Sequence, residues 1–237
     1  MEFEHTNLET CSQATGIVVV IDVLRAFTTA AYALDAGARQ IIPVSTVEEA
    51  LHLRARIPNA LAMGEVKGVK VKGFDFGNSP TELNGRDLGG RILVQRTSSG
   101  TQGIVRSQQA ATLLAASLVC ARATADFILN LGAEKVTFVI TGQDENGRGD
   151  DDQACADYIQ SLLLGEQPPV EAILSRVRQS REGLLFVDGS RPGLPASDLD
   201  YSLDIDRFDF AMQVSRSNGL RIIKKNCSLN EAREAIK

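Results

Sequence analysis

The chain has 237 residues, is 43% hydrophobic and carries a net charge of −5 with acids and bases interspersed, enough apolar material for a packed core and no support for a nucleic-acid footprint. No apolar run reaches the roughly 20 residues needed to span a bilayer, and the opening Met1-Glu2-Phe3-Glu4-His5 is acidic and polar where a secretory signal is basic and then apolar, so a cytoplasmic protein acting on a small molecule is expected. Cys11, Cys120, Cys155 and Cys227 are far apart with no Cys-x-x-Cys pair, and His5 and His52 are the only histidines, which disfavours a disulfide framework, a His-based zinc site and a Ser-His-Asp triad.

In chain order, the first strong signal is Val18-Val19-Val20-Ile21-Asp22-Val23-Leu24-Arg25. Four branched apolar residues predict a strand over 17–21 buried on both faces, with an acid at its carboxyl end, the edge of an α/β sheet where ligands gather. A helix is expected to follow to Asp35 and to stop at Gly37. Strands are predicted over 40–44, 60–63, 92–95, 112–116, 136–140 and 184–187, mostly separated by helix-like segments. Ser45-Thr46-Val47-Glu48-Glu49 offers a capping box for a helix to about Arg56. Ser79-Pro80 reads as a helix cap with proline in the first turn, residues 124–131 as a helix closed by Gly132, and a further helix starts at about Gln153. The alternation indicates one α/β domain over 1–237, with a sheet flanked by helices on both sides. Prolines 168, 169, 192 and 195 break the pattern, so 184–206 is read as a flap or small subdomain.

Four loops after predicted strands carry groups able to do chemistry. They are Asp22 with Arg25; Gly64-Glu65 and the long glycine-rich loop 66–80; Arg96-Thr97-Ser98-Ser99-Gly100-Thr101; and the acidic loop 141–152, which ends in Asp150-Asp151-Asp152. Small residues entering a helix expose backbone N–H groups and hydroxyls that suit phosphate. If the strands are parallel neighbours, carboxylates from three loops surround that cradle. Oxygen ligands without a usable His or Cys pair favour Mg²⁺, and the implied chemistry is metal-assisted phosphoryl transfer or hydrolysis. Each element also has a plainer reading: Asp22 as a helix cap, Arg25 as half of a surface pair, 97–101 as an ordinary turn, and the aspartates as solvated acids at a helix start.

The order Asp-Val-Leu-Arg-Ala, Gly-Glu, Gly-Phe-Asp-Phe-Gly-Asn-Ser-Pro, Thr-Ser-Ser-Gly-Thr and Asp-Asp-x-x-Cys-Ala resembles the 2-phosphosulfolactate phosphatase family over residues 17 to about 160, with weaker likeness over 208–223. The resemblance implies a three-layer α/β/α sandwich with a mixed, mostly parallel sheet. It also implies a Mg²⁺-dependent phosphatase that hydrolyses 2-phosphosulfolactate, or a related small phosphorylated hydroxy acid, to sulfolactate and phosphate in coenzyme M biosynthesis. Carried onto this chain, the matching positions are Asp22, Arg25, Glu65, Asp75, Asn78, Ser79, Thr97, Ser99, Gly100, Thr101, Asp151 and Asp152. The chain departs from the family pattern in having Ser99 where Asn is expected, and Asp151-Asp152 where Glu-Asp is expected.

On this footing Mg²⁺ is expected on Asp22, Glu65 and one of Asp151 or Asp152, with Asp22 and Arg25 as the catalytic pair. Arg25 with the donors of 97–101 is expected on the phosphate, Asn78, Ser79, Thr97, Ser99, Gly100 and Thr101 in the substrate site, and Lys67, Lys72 or Arg96 on a second anionic group. The expected partner is a small phosphorylated acid, not a nucleic acid or a membrane, with a homodimer left open. Two rivals remain: a cysteine hydrolase of the isochorismatase type using Cys120 or Cys155, and a non-catalytic phosphate-ligand binding protein that has lost the metal.

Overall fold

The computed structural model describes residues 1–143, 149–187 and 191–227. In chain order the elements are β1 (Glu2–Asn7), β2 (Gly16–Ile21), α1 (Ala26–Asp35), β3 (Gln40–Pro43), α2 (Val47–Arg56), β4 (Ala60–Val66), β5 (Val69–Lys70), α3 (Pro80–Leu83), β6 (Ile92–Arg96) and α4 (Gly100–Arg106). They continue with β7 (Ala110–Ala116), α5 (Ala121–Asn130), β8 (Lys135–Ile140), α6 (Asp150–Leu163), α7 (Val170–Gln179), α8 (Arg181–Val187), α9 (Ser197–Ser202), β9 (Phe210–Ser217) and β10 (Leu220–Cys227).

The strands form one sheet of order β1-β8-β2-β7-β9-β10-β3-β6-β4-β5. It consists of two parallel blocks, β1-β8-β2-β7 and β3-β6-β4, joined by the antiparallel hairpin β9–β10. The hairpin turns on Asn218 and Gly219, both at positive φ, the two-residue pattern whose twist matches that of the flanking strands. It joins β7 through Leu113, Leu114 and Ala115, and β3 through Ile223 opposite Ile41.

Packing follows from alternation along the strands. Val18 and Val20 of β2 face a core that also holds Ile41, Met63, Leu93 and the nearly all-buried α1, whereas Val19 and Ile21 face a second core with Phe138, Tyr158 and Ile159. Helices α5 to α9 cover that outer face, and α2 covers the other block through Ala50 against Ile42, Ala62 and Val94. The result is the expected α/β fold, a mixed, mostly parallel sheet in a three-layer α/β/α arrangement. Three antiparallel steps between β7 and β3 leave the two blocks running in opposite senses. A twist of roughly 20–25° per strand, accumulated over the steps from β2 to β6, coils the sheet around α1 and α4 and turns the two carboxyl edges toward one another. The chemistry-bearing loops therefore meet across a coiled sheet rather than along one edge of parallel neighbours.

Most predicted elements are present. Thr46 caps α2 by accepting the Glu49 N–H at 3.1 Å, while the Glu49 carboxylate accepts the Ser45 N–H at 3.2 Å. Residues 184–187, expected as a strand, belong to helix α8. Ser180, Gly183 and Phe186 are buried while Leu184 and Val187 are exposed, a spacing of three that a short apolar run does not reveal. The polar segment 2–7 forms the edge strand β1 because it pairs with β8 in register. Helix α6 starts at Asp150 rather than near Gln153, so Asp151 and Asp152 lie in its first turn. Residues 144–148 of the acidic loop, and 188–190 of the expected flap, lie outside the described residues.

Candidate functional site

Asp22 follows β2 and is buried. Its Oδ1 accepts the Ala26 N–H at 2.8 Å, opening α1, and its Oδ2 accepts the Gly100 N–H at 2.8 Å, opening α4. One carboxylate thus holds two helix starts from opposite blocks of the sheet. Burial pushes the carboxyl up to about 6 against the pull of those two donors, with Glu65 adding to the rise and Arg25 opposing it. Gly100 is required by proximity: a Cβ there would stand 2.8 Å from both Asp22 Oδ2 and the Ala26 Cβ. Gly100→Ala is expected to displace Asp22 and cut turnover by roughly 10²-fold, measured as phosphate release; unchanged turnover would show that the contact is dispensable.

Glu65, near the end of β4, is buried and fixed by the 97–101 loop. Its Oε1 accepts the Ser98 N–H at 2.5 Å, and its Oε2 accepts the Ser98 hydroxyl at 3.1 Å and the Gly68 N–H at 2.5 Å. Gly64 permits this approach, since a Cβ there would stand 1.9 Å from the Arg96 carbonyl oxygen. Within the loop, Thr97 and Thr101 bond mainly to one another: each backbone N–H donates to the other's hydroxyl, at 2.8 and 3.1 Å. These two threonines shape the loop, while Ser98 and Ser99 line the cleft. Arg96 donates to the Glu65 carbonyl at 2.7 Å and to the Ser45 carbonyl at 3.3 Å.

Arg25 is buried at the N-terminal boundary of α1. Its Nη1 donates to the Gly193 carbonyl at 2.9 Å and to Asp198 Oδ2, and its guanidinium carbon lies 5.3 Å from the centroid of the Phe186 ring. Asp198, fully buried in α9, also accepts the Ser79 hydroxyl at 2.8 Å, the Thr81 N–H at 3.0 Å and the Thr81 hydroxyl at 2.6 Å. Ser79, expected to cap α3 with its side chain, bonds to Asp198 instead, although Pro80 does take the first helical turn. Asp198 carried no signal in the sequence, because the residues it joins are scattered along the chain. Asp75 is bound on both oxygens by Arg54 at 2.7 Å and accepts the Ala62 N–H at 2.8 Å. Burial raises its carboxyl, but the Arg54 hydrogen bonds prevail and hold it below its ordinary value, which fixes the 66–80 loop to β4.

Asp152 joins three elements. Its Oδ1 accepts the Val23 N–H at 2.8 Å, and its Oδ2 accepts the Gly142 N–H at 2.9 Å and the Thr141 hydroxyl at 3.2 Å. Burial raises its carboxyl well above the ordinary value, and the charges of Asp151 and Asp22 add to this. Asp151 is pushed up to about 8 by burial, then by Glu182 and Asp22, and among the described residues its buried Oδ1 has no hydrogen-bond partner.

The cleft has a volume of about 480 Å³ and is lined by Asp22, Arg25, Glu65 and Asn78, with Lys67, Arg181 and Arg191 supplying further positive charge. Asp151, Asp152, Lys72 and Arg96 do not line it. Arg191 was missed in the sequence because it lies in the segment 184–206 read only as a flap, and Arg181 because it lies just before that segment, where prolines break the pattern. A second cavity of about 420 Å³, walled by Phe127, Leu131 and Phe208, holds none of the expected site residues.

Among the described residues, no three Asp, Glu, His or Cys side chains stand close enough together to enclose a metal ion. Among the described residues, the groups facing the cleft that can ligate a cation are oxygens, and the buried Asn78 Oδ1 has no partner. This set fits a hydrated hard cation that takes one or two carboxylates and completes its shell with water and substrate oxygens, the habit of Mg²⁺. Cys120 and Cys155 are buried; burial pushes the first up to about 11 and raises the second well above its usual value. A thiol held protonated is a poor nucleophile, so alkylation with iodoacetamide under native conditions is expected to leave phosphate release within about twofold of untreated enzyme. Substrate-protected inactivation would favour the cysteine hydrolase instead.

A family model described as 2-phosphosulpholactate phosphatase matches residues 4–216. A probable 2-phosphosulfolactate phosphatase of Bacillus subtilis (strain 168) is 32% identical over 210 residues, covering 88% of this chain and 91% of that protein. Proteins of the same description from Carboxydothermus hydrogenoformans and Deinococcus radiodurans are 46% and 41% identical, over 65% and 62% of this chain and 63% and 62% of their own lengths. With a match across nearly the whole fold, including every loop that meets at the cleft, this chain belongs to the 2-phosphosulfolactate phosphatase family.

Proposed function

We propose that the chain is a Mg²⁺-dependent phosphatase that hydrolyses 2-phosphosulfolactate or a closely related phosphorylated hydroxy acid, with water cleaving the ester P–O bond to give phosphate and the free hydroxy acid. The observation that carries this reading is the cleft where Asp22 and Glu65, each fixed by backbone N–H groups, face Arg25, with Lys67, Arg181 and Arg191 around them. A pure anion site has no use for carboxylates such as Asp22 and Glu65 in its lining, whereas a cation placed between them and a phosphate relieves their repulsion, which favours an enzyme over a pure anion-binding protein. Asp22 and Glu65 would hold Mg²⁺, which when bound draws charge from the phosphoryl oxygens and lowers the pKa of water. The Nε and Nη2 edge of Arg25, without a protein acceptor among the described residues, presents a fork suited to two phosphoryl oxygens. Lys67, Arg181 and Arg191 oppose the carboxylate and sulfonate of such a substrate, and the Ser99 hydroxyl takes the place of an amide next to it. Coenzyme M biosynthesis in the cytoplasm is the setting this substrate implies; no helix among the described residues is long and apolar enough to cross a membrane.

The test is phosphate release from 2-phosphosulfolactate, and from 2-phospholactate, which lacks the sulfonate, each with Mg²⁺ and with chelator. Chelation is expected to lower the rate by on the order of 10²-fold or more, and loss of the sulfonate to raise KM. Equal rates with and without chelator would overturn the metal-dependent reading, and no release from either substrate would overturn the phosphatase assignment.

A further inference from the structure

We infer that Asp198 is a positioning residue for the reaction, aiming the Arg25 guanidinium so that its free fork faces the phosphate; this rests on the reading of Arg25 as the phosphate clamp. Among the described residues, the Arg25 guanidinium is anchored by Phe186, Gly193 and Asp198. Both protons of Nη1 are taken, one by the Gly193 carbonyl at 2.9 Å and one by Asp198 Oδ2, and the Phe186 ring lies against the guanidinium face. A guanidinium is planar and rigid, so fixing Nη1 and one face also fixes the direction of the Nε–Nη2 edge. That edge carries three N–H groups with no protein acceptor among the described residues, and Arg25 lines the cleft.

Asp198 is itself held firmly. It is fully buried, and its Oδ1 accepts from the Ser79 hydroxyl, the Thr81 hydroxyl and the Thr81 N–H, which leaves Oδ2 for Arg25. Those three donors come from the start of α3, at the end of the glycine-rich loop, so the carboxylate joins the β2–α1 loop, α3 and α9 at one point. A buried ion pair whose remaining lone pairs are satisfied holds one geometry; losing one partner leaves the other charge unpaired and free to turn. The segment 184–206, read from the sequence only as a flap, thus supplies the element that orients the catalytic arginine.

The experiment is steady-state phosphate release from 2-phosphosulfolactate with Mg²⁺ by D198N, R25K and the double variant, with thermal melting to establish folding and T124V as a control that removes a buried hydrogen bond outside the cleft. D198N is expected to lower kcat by roughly 10²-fold with KM changed far less, since misplacement by about an ångström costs that much. T124V is expected to stay within about threefold of the unaltered enzyme, and D198N to add less than about threefold on the R25K background, where no fork is left to aim. Where D198N does not fold, F186L removes the ring from the guanidinium face and is expected to lower kcat in the native background only. Full kcat in D198N, or the same factor lost in both backgrounds, overturns the positioning role while leaving the phosphatase reading intact. Full kcat in R25K overturns the clamp reading itself, and the role of Asp198 with it.

Discussion

Asp22→Asn is expected to lower kcat for phosphate release by about 10²–10³-fold while changing the melting temperature by only a few degrees. The activity loss follows because an amide cannot supply the charge that the cation and the developing phosphoryl charge require. The small stability change follows from two effects of similar size. The Asn side chain can accept only one of the two N–H groups, from Ala26 and Gly100, that Asp22 now holds, and an orphaned buried donor costs about 1–3 kcal/mol. Against this, the substitution removes a buried charge whose carboxyl is pushed up to about 6 from 3.8, a penalty of roughly 3 kcal/mol near neutral pH. The two terms offset. Phosphate assays combined with calorimetric melting will check this; preserved turnover would sink the assignment of Asp22 to the site, and collapse of the fold would mean that its role as a cap dominates.

Without divalent cation, the protein is expected to lose stability as pH rises from about 5 to 8, and Mg²⁺ is expected to restore it at the upper end. Asp22 is pushed up to about 6 and Asp151 to about 8, both from 3.8, and Asp152 is raised in the same direction. The folded state therefore keeps protons that the unfolded chain releases near pH 4. Under linkage, stability is then greatest below the unfolded pKa and falls as each group is forced to ionise: through about 6 for Asp22 and about 8 for Asp151. The total is on the order of a few kcal/mol, or about 5–10 °C in melting temperature for a chain of this size. A cation bound only by the folded state at about 100 times its Kd returns close to 3 kcal/mol. Differential scanning calorimetry at pH 5, 6.5 and 8, in chelator and in Mg²⁺, reads both effects; a flat profile in chelator, or no response to Mg²⁺ at pH 8, would remove the cation from the account.

Much of the fold was legible in the sequence because it rests on local pattern. The run Val18 to Ile21 has to be a buried strand, Thr46 with Glu49 has to open a helix, and Gly37 and Gly132, at positive φ, have to close two. Where two periods compete over a few residues, the pattern misleads, as at 184–187, whose helical burial emerges only against the core. The polar strand β1 was missed for the complementary reason, because its stability comes from pairing with β8. The hairpin β9–β10 did carry a signal, Asn218-Gly219 between two strand-like runs, that went unread.

The candidate site divides in the same way. Asp22, Arg25, Glu65, Asn78 and Ser99 stand at the ends of recognisable elements, and the structure brings them into one cleft. Asp198, Arg181 and Arg191 occupy a segment whose sequence shows only broken pattern, and Asp152 is indistinguishable there from a free acid although its oxygens hold Val23, Thr141 and Gly142. By itself, then, the sequence determined the element types, the α/β class and the chemical character of each loop, since these depend on residues within a turn or two of one another. Only the tertiary structure decided which loops meet, which way Arg25 points and which acids face the cleft. Those outcomes depend on a sheet that coils through the β9–β10 hairpin and on a carboxylate at position 198 that reaches Arg25 across most of the chain.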